Sequence, residues 1–274
     1  MAFTDDCDLY VAFHEEGVNL VIQHVMRQRP SWFNYATADL AANRELWCEF
    51  FSFTSDVTKY GDPLFTILPP LPVIGADSPP VTLGFIVQVT KVTLDFHPGN
   101  VVSLPAELNP PLAEQSFAIQ LVVCGAIACP EEGAILKIPV GGQDVPGLAD
   151  FPDLPPVHVP GRPECFCLEL FVTGGFHREF LAGTERVVAH VDGVEIVDVK
   201  PEGLESNLEC YIETAVVLGL RQKFAIPVET FFVDFPLFGL GTVSLSPTPN
   251  PPVPNNPAIE DDQLKAFLTM TVVP

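Results

Sequence analysis

Two stretches of this chain, one near each end, carry apolar residues at helical spacing, and most of the sequence between them alternates in strand fashion. The first stripe is Val18, Val21, Ile22, Val25 and Met26, with Glu15 and Glu16 before it, Arg27 and Arg29 at its end and Pro30 as a stop. That charge polarity suits the helix dipole, so the spacing predicts an amphipathic helix from Glu15 to Gln28. Pro201 opens the second, with Glu202 and Glu205 near its positive end and Leu204, Leu208, Tyr211, Ile212, Ala215 and Val216 along one side. Neither helix has a helical neighbour in sequence. Both stripes are therefore expected to bury themselves against one common sheet.

The strand pattern is read from period-two alternation. Leu9, Val11 and Phe13 predict a short strand ahead of the first helix, and Leu264, Ala266, Leu268, Met270 and Val272 predict another at the far end. Leu83, Phe85, Val87 and Val89 alternate on one parity and Val92, Leu94 and Phe96 on the other. The inward face should switch at Thr90 and Lys91, as a bulge in a long bent strand would make it do. Phe117 to Ala128 and Cys165 to Thr173 are apolar on nearly both faces and read as interior strands. Around Asp192-Gly193 the chain either turns back in a hairpin or bulges, and the flanking alternation favours the hairpin. Ser31 to Phe53 is too aromatic for a solvated linker. The Pro-rich stretch from Gly61 to Pro80 reads as an extended segment packed on an apolar surface, and Ser246 to Pro257 as a polar loop.

Composition removes several classes of function. Thirty-five acidic against 13 basic residues leave a formal charge of −22, which repels nucleic acid and anionic membrane surfaces. Twenty-nine prolines, about twice the usual share, disfavour long helical bundles. The longest apolar stretch, Phe117 to Cys129, is interrupted by Gln120 and is too short for a helical membrane span, so no integral membrane segment is expected. Met1 to Tyr10 carries three aspartates and no basic residue, unlike a secretory signal. The expected location is the cytoplasm, or the exterior by a route without a cleaved signal, and the chain is read as a single domain, 1–274.

A search for chemistry returns little. There is no nucleophile elbow, phosphate loop, zinc-protease motif or dinucleotide fingerprint; no catalytic residue, cofactor or metal is assigned, and the chain is not expected to be an enzyme. Cys124, Cys129, Cys165 and Cys167 could converge on a metal, pair as disulfides, or simply be buried thiols, and the last is favoured. His97, His158, His177 and His190 lack a carboxylate at triad spacing and read as surface or satisfied side chains. Glu260-Asp261-Asp262 reads as a solvated acidic edge rather than a calcium loop. Phe, at 21, outnumbers Tyr, at 4, which supplies bulk without a polar handle.

The β pair at Val187 to Ile196, the helix PEGLESNLECYIETAVVLGL, the return LRQKFAIPVETFF and the final strand QLKAFLTMTVV, together with DLYVAFHEEGVNLVIQHVM, resemble the TULIP superfamily of tubular lipid-binding proteins. The nearest in character are TULIP-like proteins of bacterial toxin gene clusters. The resemblance implies an α+β fold in which a long, strongly curved antiparallel sheet wraps around two amphipathic helices, with Pro-rich loops. It also implies an apolar tunnel holding a lipid- or fatty-acid-like ligand. Val21, Val25, Leu204, Leu208 and Ile212 are the expected ligand-lining residues. The alternative is a structural or protein-interaction subunit of a toxin or secretion assembly, with a filled core and a protein partner.

Overall fold

Residues that alternate Val, Leu, Phe and Thr with polar side chains leave a chain little choice but a pleated sheet, and strands account for 55% of the structure. A computed structural model describes residues 6–49, 61–77, 80–130, 157–158, 161–181, 183–197, 225–237, 241–249, 253 and 255–273. The elements run β1 (Leu9–His14), α1 (Glu15–Gln28), β2 (Asn34–Ala36), α2 (Ala38–Ala42), β3 (Thr66–Ile67), β4 (Leu71–Asp77), β5 (Pro80–Leu83) and β6 (Phe85–Phe96). There follow β7 (Ser116–Pro130), β8 (Val157–His158), β9 (Gly161–Pro163), β10 (Phe166–Leu181) and β11 (Thr184–Val197). The last are β12 (Ala225–Pro227), β13 (Val233–Leu237), β14 (Gly241–Pro247), β15 (Ala258–Glu260) and β16 (Gln263–Val273).

The expected α+β fold, a sheet wrapped around two amphipathic helices, is corrected to a mainly β one. Among the described residues there are two α-helices, and α2 has five residues against 14 in α1. Among the described residues only α1 combines helical spacing with a charge polarity suited to the dipole and enough length; elsewhere among them period two prevails. The stripe from Pro201 to Gly219 lies outside the described residues.

The chain divides into two compact units, Met1–Val21 with Val92–Leu121 and Glu169–Pro274, and Ile22–Lys91 with Val122–Leu168. In the first, β1, β16, β14 and β13 lie side by side in that order in one sheet, with β15 also pairing to β16, and in a second sheet β12, β11 and β10 precede the adjoining portions of β7 and β6. Phe96, Phe117 and Ile259 form its core cluster, with Val18, Leu94, Ile119, Phe176 and Leu264 packed around them. Arg178 ties strand to loop: its Nε donates to the carbonyl of Asn256 and its guanidinium to that of Thr248 at 3.1 Å. Asp192-Gly193 is a bulge, not a hairpin. Thr173 pairs with Gly193 and Gly174 with Val191, so Asp192 is the extra residue, and β11 runs on as one strand.

In the second unit, β2 bridges β3 and β6, β4, β5 and β8 form a small sheet, and β9 pairs with β7. The aromatic stretch after Pro30 does cover a core: Ala36, Leu40, Phe65, Ile86, Ala126 and Ala128 are buried, with Leu46 and Trp47 packed on them. On β6 the buried positions are Ile86 and Gln88, not the parity of Phe85, Val87 and Val89, while Thr90 and Lys91 are both exposed. The reason is Gln88. Its Oε1 accepts the N–H of Cys48 at 2.9 Å and of Glu49 at 3.0 Å, and its Nε2 donates to the carbonyl of Glu49 at 3.0 Å, so a buried amide fastens the end of the aromatic segment. Nearby, Cys48 pairs with Cys165 and Cys124 with Cys167.

These two bonds close loops with separations of 117 and 43 residues. Loops of that length make a disulfide worth about 2–5 kcal/mol. Reduction with dithiothreitol should therefore lower the unfolding free energy of the second unit by about 2–5 kcal/mol or more, seen as a lower urea midpoint in the fluorescence of Trp32 and Trp47 before and after thiol trapping.

Candidate functional site

The ladder registers of β1, β16, β14 and β13 decide which side chains share a side of this sheet, because residues directly opposite across an antiparallel pair point the same way. Leu9 faces Leu268, Val11 faces Ala266 and Phe13 faces Leu264. Across the other edge of β16, Val272 faces Val243 and Met270 faces Leu245; these in turn face Phe235 and Val233. Every one of these residues is apolar. The reverse side is mixed: Tyr10, His14, Gln263, Lys265, Thr269, Thr271, Thr242, Ser244, Ser246 and Asp234 stand among Ala12, Phe267, Val273 and Pro236. Three strand-to-strand steps and nine residues of β16 make the apolar side about 14 Å by about 27 Å.

One end of this face is closed and the other is open. Leu264, with Ile259 opposite it on β15, joins the core cluster around Phe96 and Phe117. Toward the far end Met270, Val272, Val233 and Phe235 are exposed; along the β1 edge Leu9 is exposed too, as is Phe13 beside Leu264, with Val272 and Phe13 each 56% accessible. Soluble chains rarely leave an apolar patch of several hundred Å² in water, and such patches mark ligand or partner sites. Two grooves elsewhere in this unit are of another character: one is bounded by His97, Glu114, Glu260 and Asp261, the other by Phe176, His177, Arg178, Phe180 and Glu185.

Ionised groups pin the closed end. Lys265 is 1% exposed on the polar side, with Nζ bonded to Asp261 and 3.3 Å from Glu260. Burial works to lower its pKa, but the Asp261 and Glu260 carboxylates prevail and raise it. Glu260 and Asp261 are thus counter-charges to a buried lysine while their own carboxylates stay in solvent, 44% and 74% exposed. Glu15, in the first turn of α1, is 2% exposed. Its Oε2 accepts the Phe96 N–H at 2.8 Å, and its own N–H donates to the Asp262 carbonyl at 3.0 Å. Asp95 beside it accepts the N–H groups of Asn100, Val101 and Val102. Desolvation above all, with the neighbouring Asp95 and Asp262 charges, pushes the Glu15 carboxyl up to about 6, against the opposing pull of the Phe96 N–H.

Comparison with known proteins adds little. No family model matches the chain, and no curated protein does. Among solved structures, a crystal structure of lipopolysaccharide binding protein aligns at 12% identity and a TM-score of 0.33, over 100% of this chain and 46% of that one. The chain thus spans less than half the length of that protein.

The residues expected to line a ligand distribute differently. Val21 is 61% exposed and Val25 half-buried on α1, while Leu204, Leu208 and Ile212 lie outside the described residues. The apolar face of β1, β16, β14 and β13 went unassigned as a site; its alternation is visible in sequence, but the pairing that assembles it is not. The four-thiol cluster is not a metal centre. Glu49 lies with the sulfurs of Cys124 and Cys167 inside 4.8 Å, but those sulfurs are bonded to each other, so neither is a thiolate.

Glu15 carries a pH signature. Its folded pKa lies above the ordinary 4.5, so its stabilising contribution is complete below pH 4.5 and is lost as pH rises through about 6. A shift of that size corresponds to about 2 kcal/mol. Urea unfolding of Glu15→Gln should show that much less pH dependence than the parent between pH 4.5 and 7; identical slopes would place the carboxyl in water.

Proposed function

We propose that this chain is a noncatalytic binder of a lipid or other long apolar molecule, held against the apolar side of the β1, β16, β14 and β13 sheet as one wall of its compartment. The carrying observation is the unbroken set of apolar side chains on that side, open at the Val272 and Phe235 end and closed by the Phe96 cluster at the other. Removing apolar surface from water supplies about 25 cal/mol per Å², and a flat aliphatic face with no hydrogen-bonding group selects for shape and hydrophobicity alone. The two disulfides support an oxidising compartment as its working environment. No helix among the described residues is long and apolar enough to cross a membrane.

Native mass spectrometry and solvent extraction of the purified protein should reveal bound lipid. In a fluorescent fatty-acid titration, Val272→Asp and Phe13→Asp should each weaken binding tenfold or more, while Thr271→Asp, on the other side of the same strand, leaves it unchanged. Equal effects of Val272→Asp and Thr271→Asp, or a protein that takes up no fatty acid or phospholipid, would overturn the proposal and favour a protein partner for this face.

A further inference from the structure

Away from the apolar face, the β10 and β11 pair brings together two histidines thirteen positions apart in sequence. Gly175 stands opposite His190 and Val188 opposite His177, so the two imidazoles are diagonal neighbours on one side of the ladder. Their Nδ1 atoms are 3.3 Å apart and their ring centroids 5.2 Å apart. The opposite edge of each ring meets a carboxylate. His177 Nε2 lies 3.8 Å from Glu179 Oε2, and His190 Nε2 lies 3.5 Å from Asp192 Oδ1, Asp192 being the residue that the bulge leaves unpaired. Both rings are partly exposed, at 47% and 41%, so a small ion reaches them from solvent.

Gly175 makes the approach feasible. A Cβ at that position would stand 2.8 Å from Cε1 of His190, closer than real contacts allow, so a glycine there lets the ring lie across β10 toward its partner.

Counting protons and lone pairs shows what the arrangement lacks. A neutral imidazole has one N–H and one lone pair. If each Nε2–H is directed at its carboxylate, two Nδ1 lone pairs face one another at 3.3 Å with nothing between them. If one Nδ1 keeps the proton and donates it across the gap, that ring turns a lone pair toward a carboxylate. Two neutral rings cannot satisfy all four nitrogens and both carboxylates; a shared cation, either a proton or a metal ion, does. A tetrahedral zinc ion with Zn–N bonds of about 2.0–2.1 Å sets two ligand nitrogens about 3.3 Å apart. Metal-bound histidines ordinarily give their other N–H to a carboxylate, which is the position Glu179 and Asp192 hold. Arg186 faces Glu179 across the ladder and offsets part of its charge, while the chain's −22 draws cations in.

We infer that His177 and His190 form a surface site for a divalent transition metal of the zinc class, with both Nδ1 atoms as ligands, Glu179 and Asp192 as orienting groups, and water completing the coordination. Imidazole nitrogen suits zinc, copper and nickel and not magnesium or calcium.

The test is zinc titration of the full, oxidised chain, followed by imidazole ¹⁵N signals in two-dimensional NMR, which isolates this pair from other zinc-binding groups. Zinc should move the Nδ1 signals of His177 and His190 together, saturating at one ion per chain, while calcium leaves them in place. His177→Ala, His190→Ala and Gly175→Ala should each weaken that site tenfold or more. Glu179→Gln and Asp192→Asn should weaken it about tenfold, and His24→Ala should not affect it. Circular dichroism checks that each variant is folded. Unmoved Nδ1 signals at about 1 mM zinc, or a saturable site that survives His177→Ala and His190→Ala, overturn the inference and leave a shared proton as the occupant of the gap.

Discussion

The pleat of β16 organises the first unit. Its even-numbered residues, Leu264 to Val272, are all apolar, and its odd-numbered ones include the buried Lys265 and the threonines. A slip of one residue against β1 or β14 would drive a lysine and two threonines into the apolar side and expose the leucines on the other. Hydrophobic alternation thus specifies register, and through register it assembles the apolar face from four strands that lie far apart in sequence.

The charged groups at the closed end act on the same register. Lys265 is held by Glu260 and Asp261 across the turn between β15 and β16. The Asp262 backbone meanwhile accepts from Glu15 and donates to the His97 carbonyl. Buried ionised groups carry a desolvation cost that their partners only roughly offset. What they contribute here is geometric definition: the start of α1, the end of β6 and the β15–β16 turn are fixed to one another by directional bonds that apolar packing does not supply. Asp95, holding three backbone N–H groups of the following loop, extends the same network.

Much of the local structure was legible from the amino-acid order, because it depends on near neighbours. β1, α1, the long β7 and β10 and the final β16 follow from periodicity, and Pro30 and the charge polarity of α1 mark its end. What was not legible depends on contacts across the sequence. Gln88 is buried, against the parity of the surrounding valines, because Cys48 and Glu49 reach it from forty positions away. Glu15 reads as a first-turn acid suited to the helix dipole, and its burial follows from the Phe96 N–H at the end of β6. Asp192-Gly193 carries a hairpin dipeptide, yet the true turn between β10 and β11 lies after Leu181, and the glycine accommodates Leu108 instead, 2.7 Å from where its Cβ would be. His177 and His190 look scattered in sequence and become neighbours only through the bulged ladder. The apolar face is the intermediate case, with every strand's alternation readable and their order side by side not.

The two disulfides interleave: Cys48 joins Cys165, and Cys124 joins Cys167. During vectorial synthesis Cys48 and Cys124 leave the ribosome before either final partner exists. Any disulfide that Cys48 or Cys124 forms at that moment is non-native, and Cys165 and Cys167 then arrive separated only by Phe166. Reaching the crossed pattern from there requires thiol–disulfide exchange, for which the closely spaced Cys165 and Cys167 offer adjacent attacking sulfurs. Where the chain is made under oxidising conditions, its yield is thus tied to the isomerase capacity present there.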